Sequence, residues 1–260
     1  MRTALFLFLA GAACVFHGTA QATPLVFGVT FNAGGNAGFI DVATGHFEIV
    51  GTVGPLINDV AIAPDGSCYA IANTSELVVI NTSNGAITGV MPLPSGIETL
   101  DFSPTDHTLF AATQGTLYTI DLASQTTTLI GNYGALGNAQ NIRFDSSGNL
   151  WTTDTGSPTN VYEIDQSTGT ATWEFNVPFG AVALGYVDGR LYGVGISGIG
   201  GQGNLVWVDP STKSGSQLLG SFPSVDFSEP EQHSYTPEPG ALWLCLPALA
   251  GLAFIRRKRA

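Results

Sequence analysis

Charge is scarce in this 260-residue chain, and basic charge scarcest of all. Only 11% of the residues are Asp, Glu, Lys or Arg. That is too few to clothe long surface helices, whose exposed faces are built from Lys, Glu and Arg. All 20 acidic residues lie between Asp41 and Glu238, against three basic ones there, Arg143, Arg190 and Lys213; the interval carries −17 and the whole chain −12. Nucleic acid and anionic lipid are excluded as partners of such a surface, because phosphate contacts depend on Lys and Arg. Cations, neutral sugars and basic proteins fit it, and so does the plain solubility of an exported domain.

Reactive side chains are nearly as sparse. Cys14 and Cys245 fall in the terminal apolar segments, so Cys68 stands alone in the body and no internal disulfide forms there. With no His or Lys nearby to activate its thiolate, Cys68 reads as a small buried strand residue. His46, His107 and His233 are not spaced as metal ligands, and no GxSxG elbow presents a nucleophile. No catalytic residues and no metal ligands are assigned. Gly193, Gly195 and Gly198 spell GxGxxG, but in a strand and loop without the following helix that phosphate binding requires.

What the chain has in quantity is turn residues and short apolar alternation. It carries 33 Gly and 14 Pro at 44% hydrophobic composition. The stretch from Glu98 to Asp121 contains three runs of period-two alternation separated by turns, the pattern of half-buried strands in a meander. Strand-ending residues recur at Asp41, Asn81, Asp121, Asp165 and Asp209, aromatic ones at Phe27, Tyr69, Phe110, Trp151 and Tyr192, and a third series at Ile62, Phe102, Phe144, Tyr186 and Phe227. All three series step by 40 to 44 residues. A period near 40 with four strands per unit marks propeller blades. Four complete blades are visible, with turns at Pro64-Asp65-Gly66, Pro104-Thr105-Asp106, Asp145 to Asn149 and Asp188-Gly189. Three strands before them, around Leu25–Phe31, Gly38–Val42 and Phe47–Val50, lack an inner strand, and Val225 to Pro230 offers one. The expected fold is all-β, a five-bladed β-propeller over 23–230 closed by strands from both termini, which removes exposed sheet edges. The blades resemble the NHL-like and YVTN-like propeller repeats, most plainly over Ile142 to Asp154, a likeness that marks fold and carries no single function.

The two ends read as addresses. Residues 1–22 have the parts of a secretory signal peptide: Arg2, an apolar core from Ala4 to Phe16, and small residues at Ala20 and Ala22, with cleavage expected after Ala22. A lipoprotein signal ending at Cys14 is the alternative. After a polar linker, 231–236, the segment 237–260 runs Pro237-Glu238-Pro239, then an uncharged apolar stretch 240–255, then Arg256, Arg257, Lys258 and Arg259. Sixteen residues of helix reach about 24 Å, and snorkelling Arg and Lys stems help bridge a ~30 Å hydrocarbon core. The basic cluster would remain cytoplasmic, which places the propeller outside; a buried core helix is the other reading. This order of parts resembles the PEP-CTERM sorting signal of Gram-negative bacteria. The resemblance implies an inner-membrane-tethered precursor, recognition by an exosortase, cleavage near Pro-Glu-Pro, and delivery to the cell surface or the extracellular polysaccharide matrix.

Propellers bind ligands near the axis, on the face where inner strands begin. Those positions are Asn58, Asp59, Glu98, Gln140 and Asn141, with Asp154 on a neighbouring loop. No cofactor is expected, although carboxylates converging with amides could hold Ca²⁺ or hydrogen-bond sugar hydroxyls; a polar water-filled channel is the plainer outcome. The expected function is a non-enzymatic surface or matrix protein that binds polysaccharide or another envelope component. The rival is a lactonase- or lyase-like propeller enzyme with an axial metal at Glu98, Asn141 and Asp59, and a third possibility is a scaffold with no small ligand.

Overall fold

The computed structural model describes residues 25–30, 34–178, 180, 183–195, 202–223 and 225–228. The signal segment, the linker and the sorting tail lie outside the described residues. Within them every regular element is a strand, and the strands form five antiparallel sheets of four.

The chain begins with β1 (Leu25–Thr30), β2 (Asn36–Asp41) and β3 (His46–Thr52). Four complete blades follow. They are β4 (Ile57–Ile62), β5 (Cys68–Ala72), β6 (Glu76–Ile80) and β7 (Ile87–Pro92); then β8 (Thr99–Phe102), β9 (Leu109–Ala112), β10 (Thr116–Asp121) and β11 (Thr126–Asn132). The next two are β12 (Ile142–Phe144), β13 (Leu150–Thr153), β14 (Thr159–Ile164) and β15 (Ala171–Val177), and β16 (Ala183–Val187), β17 (Arg190–Gly195), β18 (Gln202–Asp209) and β19 (Ser214–Pro223). Last comes β20 (Val225–Ser228), which pairs antiparallel with β1 through Phe27↔Ser228 to Thr30↔Val225 and completes the first sheet in the order β20-β1-β2-β3. The five-bladed ring is therefore closed by strands from both ends of the propeller, as the repeat count predicts.

Closure is also visible in the packing. Among the described residues there are five buried apolar clusters, and each joins one pair of adjacent blades, including the pair formed by β16–β19 and the closing sheet. The periodic aromatics explain themselves here: Tyr69 packs edge-on against Phe102 of the next blade at 5.7 Å, and Phe110 against Phe144 at 5.3 Å. From Phe27 to Trp151 and from Ile62 to Tyr186, two of the sequence series are the two sides of one repeated contact between blades; Phe227 departs from its series, pairing with Gly28 at the level of Leu100.

The strand-ending series caps turns. In Asp41, Asn81, Asp121, Asp165 and Asp209 the side-chain oxygen accepts the backbone N–H two residues on, at 2.8 to 2.9 Å. These Asx turns bring the chain from the third strand of each blade into the fourth. The inner turns use positive φ: Gly66 at +86°, Gly148 at +83°, and Asp188-Gly189 at +47° and +76° between the paired residues Val187 and Arg190, which is the two-residue hairpin geometry.

Gly51 and Gly131 serve a different end. Each lies beside a bulge on an outermost strand, and each backbone sits directly against the Asx turn of the next blade, so that a methyl added at Gly131 would overlap the Thr168 carbonyl and one at Gly51 the Asn84 carbonyl. Gly131→Ala is expected to lower stability by about 1–3 kcal/mol in urea unfolding. Gly137→Ala, where a methyl meets open space, should stay within about 0.5 kcal/mol of the parent.

Candidate functional site

The five inner strands present their unpaired edges to a common axis. Register fixes which residues share a level: Val60, Leu100, Ile142, Leu184 and Phe227 lie opposite Ala70, Ala111, Thr152, Gly193 and Gly28, each one residue after the repeated aromatic of the second strand. Their backbone groups cannot pair within a sheet on that side and need other partners.

The partners come from side chains of the preceding blade. The Asp59 carboxylate accepts the Leu100 N–H at 2.9 Å together with the Thr99 hydroxyl, and Thr99 Oγ1 in turn accepts the Ile142 N–H at 2.9 Å. One level on, Asp101 accepts the Phe144 N–H at 2.7 Å. Arg143 fills the centre from β12. Its Nη2 donates to Asp59 at 2.6 Å and to the carbonyls of Val60 and Phe227, and its Nη1 donates to the carbonyls of Leu100 at 2.7 Å and Ile142. One guanidinium thereby engages carbonyls of four inner strands at a single level. Arg143 is 1% exposed and Asp59 0%, so this is a buried ion pair inside the ring.

Asp101 stands 3.9 Å from Nη1 of Arg143. Burial pushes its carboxyl up to about 6, a rise that the Arg143 charge and the Phe144 N–H partly counter and the Asp59 charge reinforces. Burial also pushes the Cys68 thiol up, which keeps it protonated and inert, in accord with its reading as a core residue.

The residues expected at the axial mouth divide into two groups. Asn58, Glu98 and Gln140 stand at the entrances of β4, β8 and β12, Asn58 as the extra residue of a bulge between Ile57 and Asp59. Glu98 accepts from Gln114 Nε2 at 3.2 and 3.4 Å, and the Asn58 side-chain oxygen is buried without a hydrogen-bond partner among the described residues. Asp59 and Asn141 lie one level deeper and are buried; the Asp59 oxygens are committed to Arg143, Thr99 and the backbone. Asp154 is pinned on the β13–β14 loop, accepting from the Gly156 and Asn160 N–H groups at 3.0 and 2.9 Å and from Asn160 Nδ2 at 2.6 Å. Among the described residues no three His, Cys, Asp or Glu side chains gather as a metal-binding group.

Away from this face, His46 and His107 are exposed. His107, at φ +61°, lines a cavity of about 400 Å³ at the far end of the β8–β11 blade, together with Asp121 and Thr119. Gly193 and Gly195 lie within strand β17.

Sequence reasoning missed the centre itself. The available signal was Arg143, one of only three cations in the body, set between Ile142 and Phe144 in an inner strand.

Two measurements test this centre. Arg143→Met leaves Asp59 as an unpaired buried charge and should cost about 3–5 kcal/mol of unfolding free energy, part of which returns in Arg143→Met with Asp59→Asn. Asp101 binds its proton more tightly folded than unfolded, so its contribution is full below about pH 4 and is lost as pH rises through about 6. Relative to Asp101→Asn, the parent should lose on the order of 2–3 kcal/mol between pH 4 and 7 in chemical denaturation.

No family model matches the chain, and no curated protein does. Solved structures do. TolB from Acinetobacter baumannii is 16% identical over 79% of this chain and 54% of its own, with a TM-score of 0.53. A protein of unknown function from Bacteroides thetaiotaomicron is 15% identical over 81% and 59%, with a TM-score of 0.51. A chain of a nidogen/laminin complex is 12% identical over 80% and 86%, with a TM-score of 0.53. This chain thus spans little more than half of the first two. At these identities the likeness supports the propeller fold alone.

Proposed function

We propose that this is an exported propeller of the cell surface or extracellular matrix, a non-enzymatic module that binds polysaccharide or another envelope component. The observation that carries the reading is the order of parts at the end of the chain: Pro237-Glu238-Pro239, sixteen uncharged apolar residues, and four consecutive cations. Added to a propeller, this order fits a precursor that is exported through residues 1–22, held in the inner membrane by 240–255, and sorted by an exosortase.

The geometry of the ring supports a binding role over an axial reaction centre. A metal at the axis would have to take Asp59 from Arg143, at the cost of leaving a buried guanidinium without its counter-charge. The mouth, in contrast, offers amides and one carboxylate in Asn58, Gln140 and Glu98, groups suited to hydroxyl recognition. Excess acidity across the body favours a neutral or cationic partner over an anionic one.

The test is the intact mass of the protein recovered from its host's surface or medium, in a wild-type strain and in one lacking the exosortase. Loss of residues 1–22 in both, and of the segment after Pro239 only where the exosortase is present, is the expected result. A mass that keeps Gly240 to Ala260 in both strains overturns the sorting route and leaves a permanent anchor.

A further inference from the structure

Six large hydrophobic side chains are exposed among the described residues, and five of them, Ile49, Val90, Leu129, Trp173 and Leu218, fall on the outermost strands, one per blade and each at a bulge. In four blades the residue is aliphatic. An aliphatic side chain presents nothing directional. In the β12–β15 blade it is an indole, 55% exposed, whose Nε1–H donates to Asn160 Oδ1 at 3.2 Å. The ring is therefore held in one orientation while much of its surface stays in water.

Trp173 does not stand alone. Asn160 is fixed from its other side, since its Nδ2 donates to Asp154 at 2.6 Å. Beside Asp154, the Thr155 hydroxyl accepts from Asn138 Nδ2 at 3.4 Å, and Asn138 Oδ1 accepts from Gln140 Nε2 at 3.1 Å. These six residues form two hydrogen-bonded groups joined by the Asp154–Thr155 peptide, a ribbon that crosses a single blade from the axial mouth at Gln140 to Trp173 on the outermost strand, which pairs with Tyr162. Three strand spacings separate its ends, about 14 Å. That is the reach of a short oligosaccharide.

We infer that this ribbon is an extended sugar-binding track, with Trp173 as the stacking platform at its outer end, and that its ligand is a neutral polysaccharide strand. The inference rests on the matrix-binding reading above and gives that reading a ligand class. An oriented, exposed indole offers its face to the C–H side of a sugar ring, and amides and hydroxyls beside it serve the ring hydroxyls. Among the described residues the Gln140 side-chain oxygen and the Thr155 hydroxyl hydrogen remain for that purpose. Anionic sugars are disfavoured because Asp154 and Glu98 border the track, while Glu174, next to Trp173, is paired with Lys213 at 2.7 Å.

The experiment titrates the purified full-length protein with hexamers of β-1,4-linked glucose, mannose and N-acetylglucosamine, and with a galacturonate hexamer as the charged control. It follows tryptophan emission and calorimetric heat. Saturable binding of at least one neutral hexamer is expected, weaker binding of galacturonate, and an emission change that disappears in Trp173→Phe. Trp173→Ala should weaken binding at least tenfold, with an unchanged unfolding midpoint because the side chain is exposed. Asn160→Ala, which unpins the indole, should weaken it several-fold. If Trp173→Ala binds as the parent does while Glu98→Gln does not, the track is overturned and an axial ligand site remains. If no neutral hexamer binds, the track is overturned, and the sorting route still stands or falls on the mass measurement.

Discussion

Closing five sheets into a ring brings five strand edges together around one axis, where their N–H and C=O groups are cut off from water. Each unsatisfied group there costs about 1–3 kcal/mol. The solution in this protein is asymmetric. N–H groups are taken by short acceptors from the preceding blade, Asp59, Thr99 and Asp101, and carbonyls by a single long cation, Arg143, which also neutralises Asp59. Arg suits the task because its planar group spreads five donors over several acceptors and stays charged when buried. Lys would offer three donors from one point. The ring thus depends on residues 84 positions apart meeting at its centre, although four of the five blades are locally complete.

Around that centre the blades are joined by repetition. The aromatic of each second strand reaches the next blade's inner strand, the Asx turn opens each outermost strand, and the glycines of two such strands admit a neighbouring turn. Because the same contact is made between successive blades, the spacing of the residues that make it is tightly held. That is why three series at one period could be read along the chain. Where a repeat position departs from its equivalents, it does something else: Arg143 stands where the neighbouring blade has Asp101, and Trp173 where other blades have aliphatic residues.

The candidate surface lies where this framework has no structural need of polar side chains. At the mouth and along the end of the β12–β15 blade, amides, hydroxyls and carboxylates bond to one another at the boundary with water, and an indole closes the line. Such groups are ordered by their mutual hydrogen bonds and backed by a rigid sheet, which preorganises them for a ligand. Beneath this surface lies the buried ion pair of Asp59 and Arg143.

The sequence by itself determined the number of blades, their strands and turns, and the closure of the ring by both ends. All of these follow from local patterns repeated at one period, and local patterns survive in a linear reading. What only the tertiary structure decided was who meets whom across blades. Asp59 looked like an axial ligand and is the buried partner of Arg143; Asp154 looked like part of the mouth and is the anchor of Asn160, which orients Trp173. No spacing rule encodes those pairings, because they depend on the angle through which each blade is turned about the axis and on the length of the side chains that bridge the gaps.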